Sequence, residues 1–472
     1  MISNYLGWVL FLFLSFFLNK VIAQERDGFQ LLEYIDFDKP ADNWQNASDV
    51  WWGMGDLADE EKIVNGEGVL VNVPTEENRG HLLTRESYGD IELELDFMMA
   101  PESNSGIYLM GRYEVQLLDS WKKEFPGHYD CGGIYQRWDE NREEGQKGFE
   151  GVPPLVNASR APGLWQHLRI FFRAPQFDEN GNKIKNARFE KVYLNGLLVQ
   201  SQVEVGGPTR SSFYSDEKEL GPLMVQGDHG KVALRNIKIS SLGEIEYDEN
   251  ESVEDPIYVR PNGSPYVLRS YLDFNGEKLP YAISVGYPEG INYSYDTRQG
   301  ALLQVWRGDF IETTGMWHRR GNSQVASPMG SIVTFSDLPN LTDRDRIKEE
   351  WIGLYELEDI HMEGYTLDER RNPVFQYSLE GNSVNDHIAP MDGRSGLLRR
   401  VEISSQDKNW LFRVANGNLI QKVATNLYRI NHSYYIELDQ KYAPEILSLG
   451  KNQELRVPLS DQPDLFEYKI IW

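Results

Sequence analysis

Cysteine is almost absent, since the 472-residue chain holds one, Cys131. A single thiol closes no intramolecular disulfide, so the fold must rest on its core alone. Basic residues are also scarce beside acidic ones, 47 against 73, which gives a formal net charge of −26. A surface of that sign repels phosphate backbones and anionic headgroups, which argues against nucleic-acid binding and against attachment to anionic membranes. Past the N-terminus no segment approaches the roughly 18 apolar residues of a spanning helix. The Walker loop, the dinucleotide-binding glycine fingerprint, HExxH, paired CxxC and the GxSxG elbow are all missing, and eight scattered histidines give no zinc spacing.

What is present is an ordinary folded composition, 40% hydrophobic and 25% charged, which excludes disorder as the main theme. The length suggests two or three domains, each able to bury a core. Twelve Trp, 25 Tyr and 20 Phe suit an all-β protein whose rings fill cores and can stack on sugars. Tyr5 to Leu18 is almost wholly apolar, and Val21-Ile22-Ala23 resembles a small-residue cleavage site. This is the pattern of a secretory signal peptide over residues 1–23, its apolar run shorter than the ~20 residues a bilayer span needs. No Lys or Arg precedes the run, so an uncleaved N-terminal anchor is the alternative; after cleavage no membrane span remains. No cysteine lies near Ala23 to carry a lipid, and an exported, cysteine-poor chain fits a bacterial periplasm or the extracellular space. On that reading triplets such as Asn46-Ala47-Ser48 are chance rather than glycosylation sites.

Alternation dominates the rest. Ile91 to Phe97 alternates strictly between apolar and polar, as a strand with one buried face does. Gly106–Met110, Tyr113–Leu118, His167–Phe172 and Lys231–Ile239 behave alike, with turn signals at Asn180-Gly181 and Asn195-Gly196. Residues 28–241 therefore read as an all-β sandwich. The acidic stretch 242–256 reads as a linker. Strands resume over 257–472, at Ala301–Trp306, Gly330–Phe335, Trp410–Val414 and Tyr434–Leu438, which predicts a second β-rich, sandwich-like domain. There, Trp306, Arg307, Trp317 and His318 could line a sugar groove, although a packed core with surface arginines is the preferred reading.

Candidate chemistry sits on the strands. Along Tyr113 to Leu118, Glu114 and Gln116 share one face and Val115 and Leu117 the other. A carboxylate beside an amide on an open sheet face suits sugar hydroxyls. A retaining glucanase would need a second carboxylate about 5–5.5 Å away, but the i+2 neighbour of Glu114 is Gln116, and Asp119, five positions on, falls on the opposite face unless a bulge intervenes. His229, between Asp228 and Gly230 at a strand entrance, is a second candidate, a titratable imidazole that could reach a cleft.

Taken together and in order, Leu82-Leu83-Thr84, Asn104-Ser105-Gly106-Ile107-Tyr108, Arg112 to Ser120, Cys131-Gly132-Gly133-Ile134-Tyr135, Pro162-Gly163-Leu164-Trp165-Gln166, Arg173-Ala174-Pro175-Gln176-Phe177-Asp178, Gly207-Pro208-Thr209 and Gly221-Pro222-Leu223 through His229-Gly230 resemble the 3-keto-disaccharide hydrolase family, formerly a domain of unknown function. The resemblance covers about residues 30–241; residues 257–472 resemble no named family. It implies a concanavalin A-like, jelly-roll sandwich in an exported protein whose substrate is a glycoside already oxidised at C3, supplied by a sugar 3-dehydrogenase. A ketone at C3 acidifies the C2 hydrogen, so one base can open the sugar by elimination and no carboxylate pair is needed. The implied assignments are His229 or Glu114 as base, Arg112 as charge partner of the enolate oxygen, and Tyr108 or Tyr135 as proton donor or ring contact. Asn104, Gln116, Gln226, Asp119 and Asp228 would hold the substrate. No metal site is demanded, though a divalent cation held by Glu114, Asp119 and His229 could replace Arg112. The alternatives are a non-catalytic carbohydrate-binding protein on the same sandwich and, less well supported, an ordinary glucanase.

Overall fold

The computed structural model describes residues 28–38, 41–244, 256–318, 324–344, 359–404, 409–459 and 465–472. The expected leader, 1–23, and most of the expected linker, 242–256, lie outside the described residues.

Alternating residues build the N-terminal half as two facing antiparallel sheets. The larger runs in the order 197–205, 187–194, 166–173, 91–99, 232–241, 61–72, 44–52, with the short strand Gln30–Leu32 added along 232–241. The smaller has four strands in the order 82–88, 221–225, 104–109, 113–118. Ile91–Met99 shows why the sequence adopts this form. Leu93, Leu95 and Phe97 point into the core and are at most 1% exposed. Their alternates Glu92 and Glu94 turn outward and meet Arg169 on the adjacent strand. From the facing sheet come Ile107, Leu109, Val115, Leu117, Leu223 and Val225, which join the same apolar cluster. Burying each such side chain contributes roughly 1.5–3 kcal/mol, so the alternation by itself stabilises the sandwich and fixes which face of Tyr113–Leu118 is left for chemistry.

The C-terminal half is also all β, with a six-stranded, a four-stranded and an eight-stranded antiparallel sheet around one core. That core contains an ion pair. Arg399 grips Asp386 with two bonds of 3.0 and 2.6 Å, and Asn340, Tyr468 and Tyr295 satisfy the remaining polar atoms. A fully partnered buried pair of this kind fixes register, since a one-residue slip would strand both charges. Trp306 is also core, stacked on Phe310 with 0% exposure. The expectation of surface arginines beside it is corrected, because Arg307 is 2% exposed and lies between the rings of Trp121 and Trp472.

The two halves are packed against each other. Trp51, Trp121, Ala161 and Leu164 form one apolar cluster with Leu427, Tyr435 and Ile471. The Tyr435 hydroxyl donates to the Pro162 carbonyl at 3.0 Å and accepts from Trp51 Nε1 at 3.0 Å. Arg429 reaches across to the carbonyls of Val50 and Gly163 and to Asp49. Gly163 sits where a Cβ would stand 2.2 Å from the Trp52 carbonyl oxygen and 2.4 Å from the Tyr435 hydroxyl, at φ +75°, so glycine is required there. Removing one hydroxyl, Tyr435→Phe, leaves two buried groups unpaired and is expected to cost about 1–3 kcal/mol in a urea titration of the whole chain. An unchanged midpoint would mean that the junction does not contribute to global stability.

Candidate functional site

Strands Asn104–Leu109 and Tyr113–Leu118 form a hairpin whose turn uses Met110 at φ 58° and Gly111 at φ 65°. Its register sets Tyr108 opposite Glu114 and Gly106 opposite Gln116. Since Ile107, Val115 and Leu117 fill the core, Tyr108, Glu114 and Gln116 share the other face, as the alternation predicts. That face was expected to be open and is instead covered: Glu114 is 2% and Gln116 3% exposed. Part of the cover is the segment 132–135, which pairs with the outer edge of the hairpin. Gln116 N–H donates to Gly133, Gly132 N–H to Gln116, and Tyr135 N–H to Glu114.

The Glu114 carboxyl lies over Gly106, where an added Cβ would be 2.2 Å from Oε1. Burial pushes its pKa up to about 8; a hydrogen bond from Tyr108 pulls it back and the nearby Asp228 charge pushes it further. Glu114 therefore carries a proton near neutrality. Burial, and secondarily the Glu114 charge, hold the Tyr108 phenol far above its ordinary range, so it stays a donor. Glu114 Oε2 and Gln226 Oε1 are both buried without a hydrogen-bond partner among the described residues. Gln226 continues the ladder beside Gly106 through its N–H to the Gly106 carbonyl, so these two orphan acceptors flank the same glycine. Unpaired buried acceptors are costly and mark a place where a hydroxyl-bearing ligand can bind.

Beyond Gln226 the chain turns through Asp228 and His229. His229 Nδ1 lies 2.6 Å from Asp228 Oδ1 and 3.2 Å from Gln226 Nε2, with more than half of its side chain exposed. One histidine had escaped notice. His81 accepts the Gly227 N–H on Nδ1 at 3.2 Å, which leaves the ring proton on Nε2. Burial lowers its pKa, the Asp228 charge opposes that, and His229 adds to it, so His81 is a neutral donor beside the Asp228–His229 pair. Its sequence signal was adjacency, since it directly precedes Leu82-Leu83-Thr84 and enters the strand next to the one that delivers Gln226.

Other expected residues are placed differently. Arg112 is 2% exposed and spends its fork on the Met110 carbonyl at 2.7 Å, on Asp216 Oδ1 at 2.8 Å and on the Asp216 carbonyl, beneath the ring of Tyr214. It clamps the 209–217 loop to the hairpin turn, with three of its five N–H donors bonded there. Asp119 accepts the Glu102 N–H at 2.9 Å and closes the turn before Asn104, apart from Glu114. Asn104 Oδ1 accepts from Gln116 Nε2 at 2.7 Å, so these two orient one another. Tyr135 packs near His128, ring centres 5.9 Å apart, and is partly exposed at the edge of the face. Glu114, Asp119 and His229 do not converge on one cation site, and among the described residues no three His, Cys, Asp or Glu side chains are arranged to hold a metal. Cys131 is buried and free, its thiol pushed up to about 11 by burial, and plays no part in the face.

Residues 35–240 match the family model of the 3-keto-alpha-glucoside-1,2-lyase-like domain. No family matches the C-terminal half, and no curated protein matches the chain. Among solved structures, a candidate glycosyl hydrolase from Parabacteroides distasonis is 24% identical over 45% of this chain and 84% of its own, with a TM-score of 0.29. A second from the same organism is 22% identical over 45% and 100%, with a TM-score of 0.28. The carbohydrate-binding module CBM66 of Bacillus subtilis is 13% identical over 42% and 96%, with a TM-score of 0.19. Residues 35–240 are thus similar to a carbohydrate-related family domain.

Two outcomes follow from the buried carboxyl. A glutamate ordinarily titrates near 4.5 and Glu114 near 8, so between those values the folded state holds one proton more than the unfolded one. Stability should therefore fall as pH rises through that window, with a slope approaching about 1.4 kcal/mol per pH unit. Glu114→Gln cannot ionise and should lose that slope; parallel urea midpoints for both proteins from pH 5 to pH 8 would show that the carboxyl is not held protonated. Gly106→Ala should push the carboxyl off its buried seat, cost about 1–3 kcal/mol of stability and lower turnover at least tenfold in protein that is still folded, as read by pairing thermal unfolding with an assay below the lowered midpoint.

Proposed function

We propose that the face formed by Tyr108, Glu114, Gln116, Gln226, His229 and His81 cleaves a glycoside whose C3 hydroxyl has been oxidised to a ketone, by elimination across C1 and C2. The observation that carries this reading is a buried, protonated carboxyl whose ladder neighbours are Gly106, Gln116 and Tyr108 rather than a second carboxylate. The nearby Asp228 is engaged with His229. Two-carboxylate hydrolysis needs a nucleophile or base carboxylate at a defined separation, and this face does not supply it. A 3-keto sugar does not need it.

In the proposed reaction His229, in the tautomer that carries its proton on Nδ1 toward Asp228 Oδ1 rather than accepting from Gln226 Nε2, takes the C2 proton on Nε2. The C–H electron pair forms the C2–C3 double bond and places negative charge on O3, which accepts from the His81 Nε2–H. Collapse of this enolate restores the ketone, forms the C1–C2 double bond and breaks the bond from C1 to the glycosidic oxygen. That oxygen leaves with the proton of Glu114, whose high pKa lets it hold one at neutral pH. Water adding across C1 and C2 would give the hydrolysed sugar. The second amide atoms of Asn104 and Gln116, already aligned by their mutual bond, suit ring hydroxyls. The apolar N-terminal run would place this chemistry outside the cytoplasm.

The test is release of the aglycone from a 3-keto disaccharide and from its unoxidised parent by the purified chain, followed by mass. Turnover is expected from the keto sugar alone, falling above about pH 8 as Glu114 loses its proton. Glu114→Gln and His229→Ala should each reduce kcat by at least about a hundredfold, the range of lost acid–base catalysis, with the fold retained. Binding of both sugars without cleavage of either would favour a lectin-like module instead.

A further inference from the structure

A second site, independent of the reading above, lies where the two halves meet. A cavity of about 370 Å3 is walled by the loop 124–126 and residues 155–157 of the N-terminal half and by Tyr287, Phe310 and Arg394 of the C-terminal half. Two features set it apart from an incidental gap. The first is charge. Arg394 lines the cavity with its side chain only 14% exposed, its Nε is buried without a partner among the described residues, and the nearest carboxylate, half-exposed Glu124, stands 3.7 Å from Nη1, outside hydrogen-bond reach. Behind it Arg307 donates to the Arg394 carbonyl and adds a second buried guanidinium. Of the other charged lining residues, Arg260 is paired with Asp309 at 3.3 Å, which leaves Arg394 as the lining guanidinium with no carboxylate in hydrogen-bond reach among the described residues.

The second feature is the rim. Phe125 is 83% and Leu155 69% exposed, so the mouth presents apolar surface that nothing in the fold covers. The glycines at the floor are dictated by close approach: Gly308, at φ +119°, has its Cβ position 3.2 Å from Val156 of the other half. An aromatic ring at the mouth and an under-partnered guanidinium inside match a sugar ring that carries a carboxylate, since rings stack on sugar C–H faces and an Arg fork binds carboxylate through two donors.

We propose that this interdomain cavity binds a uronic-acid saccharide, the carboxylate on Arg394 and the sugar ring against Phe125. A glycan so held would be anchored to both halves at once, clear of the Glu114 face.

Isothermal titration of the whole chain with D-glucuronate, D-glucose and sodium acetate tests this without any turnover. Glucuronate is expected to bind at least about tenfold more tightly than either glucose or acetate, because each lacks one of the two recognised features. Arg394→Gln should weaken glucuronate binding about tenfold or more, and Phe125→Ala, at an exposed position that leaves the fold untouched, about threefold. No binding of glucuronate overturns the proposal. Equal binding of acetate overturns the sugar contact, equal binding of glucose overturns the carboxylate contact, and affinity unchanged in Phe125→Ala moves the ligand out of this cavity. The keto-sugar assay reads the other site, so either result stands apart from the other.

Discussion

A carboxyl group sealed under other side chains imposes conditions on everything around it. Glu114 can be buried only because it keeps its proton, because Tyr108 across the ladder gives it a hydrogen bond, and because Gly106 leaves the space its head occupies. Each of these is set by the hairpin register, and the register is set by the opposite face, where Ile107, Leu109, Val115 and Leu117 fill the sandwich core. A slip of one residue would place Glu114 in that core and Val115 in the site, at a cost no local contact could offset. The chemistry of the face and the stability of the sandwich are thus two consequences of one alternating pattern.

That pattern is why the sandwich was legible in the sequence. Tyr113–Leu118 forms a strand with the expected ends, and Ile91–Phe97 extends by two residues to Met99. The sharing of a face by Glu114 and Gln116 follows from a period of two and needs no tertiary knowledge. What alternation cannot reveal is what covers a face. The segment 132–135 that closes over the hairpin edge comes from a long irregular loop, and its pairing is non-local. Hence the face read as open is buried, and the upward shift of Glu114, which depends on that burial, had no sequence signature.

Arg112 and His81 show the same limit from opposite sides. Arg112 sits two residues from Glu114, and strand periodicity would aim it at the same face. It instead lies in a turn with two residues at positive φ, where alternation no longer applies, and its guanidinium turns to Asp216 and the Met110 carbonyl. His81 is distant in sequence from His229, yet the strand order 82–88, 221–225, 104–109 brings the entrance of one strand beside the exit of its neighbour. Sequence proximity overstated the first residue and concealed the second. In the C-terminal half, Arg307 repeats the lesson, since an arginine after a buried tryptophan looks like a surface residue until a second domain covers it.

The irregular loop from 119 to 165 connects the Glu114 face to the junction between the two halves of the chain. Near its middle, Gly132 and Gly133 pair with Gln116, and Tyr135 pairs with Glu114. Its flanks hold Trp121, Ala161, Gly163 and Leu164, which are packed against Leu427, Tyr435 and Arg429 of the C-terminal half, and Trp165 N–H donates to the His432 carbonyl. A loop of this length without neighbours would sample many conformations, each with a different cover over Glu114. Anchoring both flanks to a second packed domain removes much of that freedom before any ligand arrives. The burial that raises the Glu114 pKa is therefore supported from outside the sandwich, through bonds such as Tyr435 to Pro162 that never touch the site.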